Sequence, residues 1–360
     1  MSARRRFLVI SPSWLGDLIM AQGLLRIVKQ RYPDSQIDMV APAWSKTLLQ
    51  RMPEVDQCLY VNFPRGQLKL RARLAIGQQL KSNYYSQAFV LPNSFKSAII
   101  PMVADIPVRT GWRGEMRYVL LNDIRLPSKK RYPMMLQRYA ALAYPAGVAL
   151  PADLPYPHLH TTPEKVTVTI KQLKLDAMPG TMDKTQTILA IAPGAAYGPS
   201  KRWPMDYFVR LIAHQVQAKQ QHIWLLGNQQ DREMTQAIVQ ASIPAVRPYV
   251  QDLAGRTSLD QAIDLISRAD YVVTHDSGLM HLAAALKKKQ VALFGSSSPV
   301  HTPPLNHQAR TLWLQLPCSP CFQRTCRFKH FHCMRQLMPE QVITALEELA
   351  TDPEGSAKSF

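Results

Sequence analysis

Three segments place small or charged residues where a strand ends and a helix begins. Asp17 follows the apolar run 7–10 and the loop 11–16, at the start of a helix. Such a residue is among the best helix caps. The helix dipole keeps its carboxylate ionised, and an ionised carboxylate in a cleft can also accept the proton of an attacking hydroxyl. The second segment, His275-Asp276-Ser277-Gly278-Leu279-Met280-His281, follows a strand and opens a helix. Free backbone N–H groups beside a small Ser and a Gly make a phosphate cradle at a helix N-terminus. Asp276 would repel a phosphate, so it is expected to orient the loop or contact a hydroxyl. His281, one turn in, either reaches a phosphate or is structural. The third segment, 193–204, contains Gly194 and then Lys201-Arg202 before Trp203-Pro204. It sets positive charge at another helix start, suited to an anionic leaving group; two solvated cations are the plain alternative.

Missing motifs narrow the chemistry. The 193–204 loop lacks the G-x-x-x-x-G-K-[ST] spacing of a P-loop. No G-x-G-x-x-G follows a strand, which argues against a nicotinamide enzyme. No D-x-D occurs to hold a metal-bound nucleotide sugar. Leaving-group charge then falls to Lys201 and helix N-termini.

The elements that position these residues repeat one grammar of strand, loop and amphipathic helix. A strand at 7–10, a helix at 17–31 and a strand at 37–40 form a βαβ unit, the building block of a parallel sheet. A strand at 89–91 and another at 119–124 are expected to follow. Pro151, Pro155, Pro157 and Pro163 break the pattern and mark a boundary. A helix at 164–175 and a linker at 178–186 precede a restart. Strands at 187–192, 222–226, 271–274 and 291–294 then alternate with helices at 205–219, 231–240, 258–268 and 278–286. A last helix spans 339–349. The expected architecture is α/β, with two Rossmann-like domains whose parallel sheets face a central cleft. Ligands of open α/β sheets bind at the C-terminal ends of the strands.

The chain has 360 residues, 46% of them hydrophobic, enough for two packed domains. Lys and Arg number 43 against 25 Asp and Glu, a net charge of +18. That excess points to nucleic acid, a membrane face or a phosphorylated substrate. No run of about 18 apolar residues could span a bilayer. The start, Arg4-Arg5-Arg6 before an apolar run, imitates a signal peptide. The run stops at Ser11-Pro12 without a small-residue cleavage site, so a buried strand and a cytosolic protein are expected. Cys318, Cys321, Cys326 and Cys333 crowd one stretch, with His330 and His332 beside them. Reduced loop thiols are the default; a thiolate metal site, irregular in its spacing, is the alternative.

Taken together, Ser11-Pro12-Ser13-Trp14-Leu15-Gly16-Asp17, Leu91-Pro92-Asn93-Ser94-Phe95-Lys96-Ser97, the stretch from Thr110-Gly111-Trp112-Arg113 to Arg117-Tyr118, Lys201-Arg202-Trp203-Pro204 and Asp276-Ser277-Gly278-Leu279-Met280-His281 resemble the ADP-heptose:lipopolysaccharide heptosyltransferase II family, in glycosyltransferase family nine. The resemblance runs from residue 7 to about 304. It implies a GT-B fold with an N-terminal acceptor domain (1–165), a C-terminal donor domain (185–335) and a last helix and tail (336–360), the helix returning to the N-terminal domain. It implies transfer of L-glycero-D-manno-heptose from ADP-heptose to the first heptose of the lipopolysaccharide inner core, with inversion and with no cofactor or essential metal. Asp17 matches the family's catalytic base and Lys201 its diphosphate-contacting lysine. Asp276, Ser277, Gly278, Leu279 and His281 match its donor-binding helix start. Gly194 belongs to the donor loop, and Gly227 and Thr257 fall near the nucleoside pocket. Two departures stand out: Ala196 replaces an often polar residue, and the cysteine stretch is not shared by every member.

The resemblance also gives the charge a partner. Lipid A phosphates and Kdo carboxylates are anionic, and such an acceptor sits on the cytoplasmic face of the inner membrane, where a peripheral enzyme would meet it. Lys96, Arg109, Arg113 and Arg117 are the expected acceptor contacts, with ordinary surface charge as the alternative. A sister transferase of step I or III is the near rival. A basic nucleic-acid-binding protein is the distant one, and it lacks an RRM, KH or helix-turn-helix signature.

Overall fold

The computed structural model describes residues 4–64, 66–177 and 187–352. The linker expected at 178–186 lies outside them. The chain divides into two compact units, Met1–Pro157 and His158–Phe360. The break falls inside the proline-rich stretch but eight residues before the expected boundary at 165. The helix Pro163–Gln172 packs on the helix Leu259–Arg268, so it belongs to the second unit.

The first unit holds strands β1 (Arg6–Ile10), β2 (Gln36–Pro42), β3 (Gln57–Val61), β4 (Gln87–Val90), β5 (Val108–Trp112) and β6 (Asp123–Arg125). They form one parallel sheet in the order β3-β2-β1-β4-β5-β6. The second unit repeats the plan with β7 (Ile188–Ala192), β8 (His222–Leu225), β9 (Val250–Asp252), β10 (Tyr271–His275), β11 (Lys289–Phe294) and β12 (Ala309–Trp313). Its order, β12-β11-β10-β7-β8-β9, is again all parallel. Central strands are near-continuous apolar runs because helices cover both faces of such a sheet. In β7, all five residues are buried.

In each sheet the chain reverses direction beside the first strand: β1 neighbours β4, and β7 neighbours β10. The crevice outside the strand ends at such a switch point is where open α/β sheets bind ligands. The segments that follow β1 and β4 carry Asp17, in the first turn of a helix, and Lys96; those after β7 and β10 carry Lys201 and Asp276. Fold topology alone thus gathers the candidate residues around two switch points, one in each unit.

Two expectations are corrected. The final helix, Pro339–Thr351, does not return to the first unit. Val342, Ala345, Leu346 and Leu349 are buried in the second unit's core beside Leu211, Val291 and Leu293. The expected strand at 119–124 is a turn followed by the three-residue β6; the N–H groups of Leu120 and Leu121 both donate to the Arg117 carbonyl. Their burial comes from packing under the turn, in the first unit's core, rather than from a sheet. Among the described residues, no helix is long and apolar enough to cross a membrane.

Candidate active site

In the second unit, Lys201 ends a short 3-10 turn, Pro199–Lys201, after β7. Its Nζ lies 2.5 Å from Asp276 Oδ2 and donates to the Asp276 carbonyl at 3.2 Å. The ammonium also sits 4.9 Å from the centre of the Tyr197 ring. Asp276 therefore pairs with the lysine across the β7/β10 switch point. Thr302 Oγ1 lies 3.4 Å from Asp276 Oδ1 on the far side. Opposite charges in contact fix an ammonium in position better than either neutral partner could.

Directly after Asp276, Ser277 is the N-cap of the helix Gly278–Ala285, and its side chain makes no capping bond. Its buried Oγ has no hydrogen-bond partner among the described residues. The first N–H groups of a helix also lack intrahelical acceptors. Ser277, Gly278 and Leu279 together leave a hydroxyl and backbone donors at a positive helix end, the arrangement that receives phosphate oxygens. Ser297, in the loop after β11, has a second buried Oγ without a partner. Its neighbour Ser296 reaches Ser200 Oγ at 3.0 Å, next to Lys201.

His275 ties these loops together. Its Nε2 accepts from the Trp203 N–H at 2.9 Å, and its Nδ1 lies 3.5 Å from the Gly194 carbonyl. With Nε2 accepting, the neutral ring carries its proton on Nδ1 and directs it at that carbonyl. Burial is the first cause holding His275 neutral; it pulls the pKa down to about 4, and Arg202 and Lys201 push in the same direction. His281 is also buried and lowered to about 4, again mainly by burial. At neutral pH neither ring is a cation, so any contact of His281 with a phosphate would be a neutral N–H bond.

Gly194 and Gly227 share one neighbour that motif reading missed, Asp231. A Cβ on Gly194 would sit 2.1 Å from Asp231 Oδ1, and one on Gly227 would sit 2.8 Å from Asp231 Cβ. Only glycine lets the β7 and β8 loops close around that carboxylate, which caps its own turn by accepting from Asn228 N–H at 3.0 Å. Gly255 N–H bonds to the Gly227 carbonyl at 3.0 Å, bringing the turn that leads to Thr257 alongside. Thr257 Oγ1 itself lies 3.4 Å from the Leu253 carbonyl. The residues expected from the sequence to bind the donor, Gly194, Gly227, Thr257, Lys201, Asp276, Ser277, Gly278, Leu279 and His281, all follow strands β7 to β10 of one sheet.

In the first unit, Asp17 is not the cap of its helix. The helix spans Leu15–Arg31 with Trp14 at the N-cap, so Asp17 stands in the first turn. The dipole favours its charge there without requiring the capping bond. It is half-buried, and its charge helps raise the pKa of the fully buried Tyr139 hydroxyl, for which burial is the larger cause.

The four expected acceptor contacts separate into two pairs. Lys96 is half-buried, with its Nζ donating to the Gln67 carbonyl at 3.2 Å, and Arg113 is exposed. Arg109 instead spends its guanidinium on the carbonyls of Leu120 at 2.7 Å and Ile106 at 2.6 Å. Arg117 is 2% exposed and buried among the carbonyls of Pro92, Ser94 and Trp112 and the side chains of Ser97 and Asn93. Desolvation drags even its pKa down to about 10. Both are structural posts, because loop carbonyls without a ladder partner need a donor.

The cysteines Cys318, Cys321, Cys326 and Cys333 are free and half-buried. Among the described residues, no group of three or more His, Cys, Asp or Glu side chains is arranged to hold a metal ion. What the stretch does visibly is brace the Lys201 loop. Tyr197 Oη donates to the Phe322 carbonyl at 2.6 Å, Ser200 N–H donates to the Arg324 carbonyl at 3.1 Å, and Ser200 Oγ bonds to the Gln323 carbonyl.

Comparison with known proteins bears on the family of the whole chain. Residues 73–332 match glycosyltransferase family 9 (heptosyltransferase). The chain is 40% identical over 354 residues to lipopolysaccharide heptosyltransferase 2 of Escherichia coli K12, covering 97% of this chain and 99% of that one. It is 41% identical over 348 residues to lipopolysaccharide heptosyltransferase 2 of Salmonella typhimurium, covering 96% and 99%. The solved E. coli ADP-heptose LPS heptosyltransferase II superposes with a TM-score of 0.84 at 39% identity, over 96% of this chain and 98% of that one. The two six-stranded parallel sheets are those of the GT-B fold, as expected from the sequence. A transferase family, not a nucleic-acid-binding one, accounts for the whole length of the chain: it belongs to glycosyltransferase family 9, the heptosyltransferases.

Proposed function

We propose that this enzyme moves L-glycero-D-manno-heptose from ADP-heptose to the first heptose of the lipopolysaccharide inner core, at the cytoplasmic face of the inner membrane. Two full-length relatives near 40% identity bear the name heptosyltransferase 2, and one solved relative is described as using ADP-heptose. The observation that carries the reading is the donor cradle: Lys201 fixed by Asp276, beside the unpartnered Ser277 hydroxyl at a helix start.

The reaction is a direct displacement at the anomeric carbon. As the acceptor hydroxyl oxygen bonds to that carbon, its proton passes to the Asp17 carboxylate. The bond from the anomeric carbon to the donor phosphate breaks with inversion, and ADP leaves with the bonding electrons. Lys201 and the N–H groups at Gly278 and Leu279 stabilise the charge that grows on the phosphate oxygens. Gly194, Gly227 and Thr257 line the side assigned to the nucleoside. Lys96 and Arg113 are assigned to the anionic acceptor, while Arg109 and Arg117 hold the loops that present them.

The test is mass spectrometry of products from ADP-heptose and defined acceptors. Addition of one heptose to a mono-heptosylated Kdo–lipid A is expected. Addition to the heptose-free acceptor instead would reassign the enzyme to step I, and addition only to a di-heptosylated acceptor would move it to step III.

A further inference from the structure

The first unit presents an apolar patch that the displacement reaction does not use. Its foundation is Arg117, whose buried guanidinium bonds to Pro92, Asn93, Ser94, Ser97 and Trp112 and so rivets segment 92–97 to segment 112–117. Glu115 adds two stitches: its N–H donates to the Asn93 carbonyl at 3.1 Å, and its carboxylate accepts from Phe95 N–H at 2.7 Å. On this bonded platform the side chains next to Arg117 turn outward. Met116 is 82% exposed, Tyr118 59%, Val119 84% and Phe95 43%. Single exposed hydrophobes are ordinary, but four large ones gathered on one rigid loop pair mark an interaction surface.

Charge decides what the surface meets. Lys96 adjoins Phe95 and the exposed Arg113 lies three residues from Met116, so cations flank the apolar group. The Glu115 carboxylate in their midst is engaged by a backbone N–H. Apolar and aromatic side chains with Lys and Arg beside them fit a bilayer interface, where acyl chains take the first and headgroup phosphates the second. A second copy of the chain fits poorly: a two-fold contact sets each patch against itself, Lys96 and Arg113 included.

We infer that Phe95, Met116, Tyr118 and Val119 insert into a bilayer carrying anionic phospholipids, with Lys96 and Arg113 at the headgroup level, where the anionic acceptor assigned to them also lies. The inference deepens the peripheral association assigned above, but its test does not need the transfer reaction. Vesicles of phosphatidylcholine, with or without phosphatidylglycerol, are sedimented with the full chain and with the double variant Met116→Ser/Val119→Ser. The wild type should bind the anionic vesicles, and the variant should bind them about tenfold or more weakly, as expected for losing two inserted apolar side chains. Both proteins should transfer heptose equally to a water-soluble, delipidated acceptor. Equal vesicle binding by the two proteins overturns the patch, as does a wild type indifferent to phosphatidylglycerol. So does a variant that changes only the oligomeric state. A wild type that binds the anionic vesicles while the variant does not, but that transfers no heptose to any acceptor, would instead sink the assigned reaction and leave the patch standing.

Discussion

Lys201 and Asp17 are the two charged residues proposed above to serve the displacement, each in a different way. Lys201 is held by an anion of the same unit, so its ammonium is aimed without reorganisation when charge grows on a leaving phosphate. Lys201→Ala should therefore lower kcat roughly 100-fold or more, a loss of about 3 kcal/mol in the transition state. Asp17→Asn removes only the proton acceptor, so turnover should collapse while the affinity for ADP stays within about twofold. Steady-state kinetics paired with ADP calorimetry separates the two; near-normal turnover in Asp17→Asn would refute the base. The position of Asp17 at a helix start was legible from its strand–loop–helix setting, although Trp14 is the cap. Arg117 was not legible. Arginine is usually exposed, and nothing in Met116-Arg117-Tyr118 announces that five groups from distant loop positions will converge on one guanidinium. Asp231 was missed for a similar reason: its meeting with Gly194 depends on two loops closing on each other, not on spacing along the chain.

Among the elements, several central strands were readable because burial on both faces gives them an apolar run, as in all of β7, residues 271–273 of β10 and 291–294 of β11. Edge strands were not, nor was the inner β5, whose Val-Arg-Thr-Gly-Trp mixes polar and apolar residues. β3 and β12 are only partly buried and carry polar residues, so they lack the continuous apolar run, and β9 has three residues. The β10-to-helix junction has a further consequence, in pH dependence. His275 and His281 sit near pKa 4 in the folded chain against 6.5 as free side chains. Between those values the unfolded state binds more protons than the folded one, so stability rises with pH through that window and falls as pH drops from about 6.5 towards 4. Each ring contributes up to about 3 kcal/mol of that fall, at 1.36 kcal/mol per pKa unit. Denaturant unfolding at pH 7 and pH 5 should show the slope. His275→Phe should flatten it while lowering stability at pH 7 by about 1–3 kcal/mol, because Trp203 N–H loses its acceptor. An unchanged slope in that variant would mean the acid sensitivity lies elsewhere.

At the scale of the molecule, two units with the same sheet plan have separate cores and divide the work. The residues assigned to ADP-heptose all lie in the second unit, after β7, β8, β9 and β10, whereas Asp17, Lys96 and Arg113 lie in the first. A ligand that binds one folded region stabilises it by RT ln(1 + [L]/Kd), about 2.7 kcal/mol at a hundredfold excess over Kd. ADP carries the nucleoside and diphosphate but no sugar, so it should spend that energy on the loops of the second unit. Hydrogen exchange followed by mass spectrometry should show ADP slowing the backbone amides of 193–204, 227–231 and 276–281, where loop openings otherwise govern exchange. The Arg117 platform at 92–97 and 112–119 should exchange unchanged, since its bonds are made to its own unit. Lys201→Ala should shrink the protection at 276–281, because the ammonium that bridges Asp276 to the diphosphate is gone. Protection centred instead on the first unit would place the nucleotide beside Asp17 and invert the assignment of donor and acceptor.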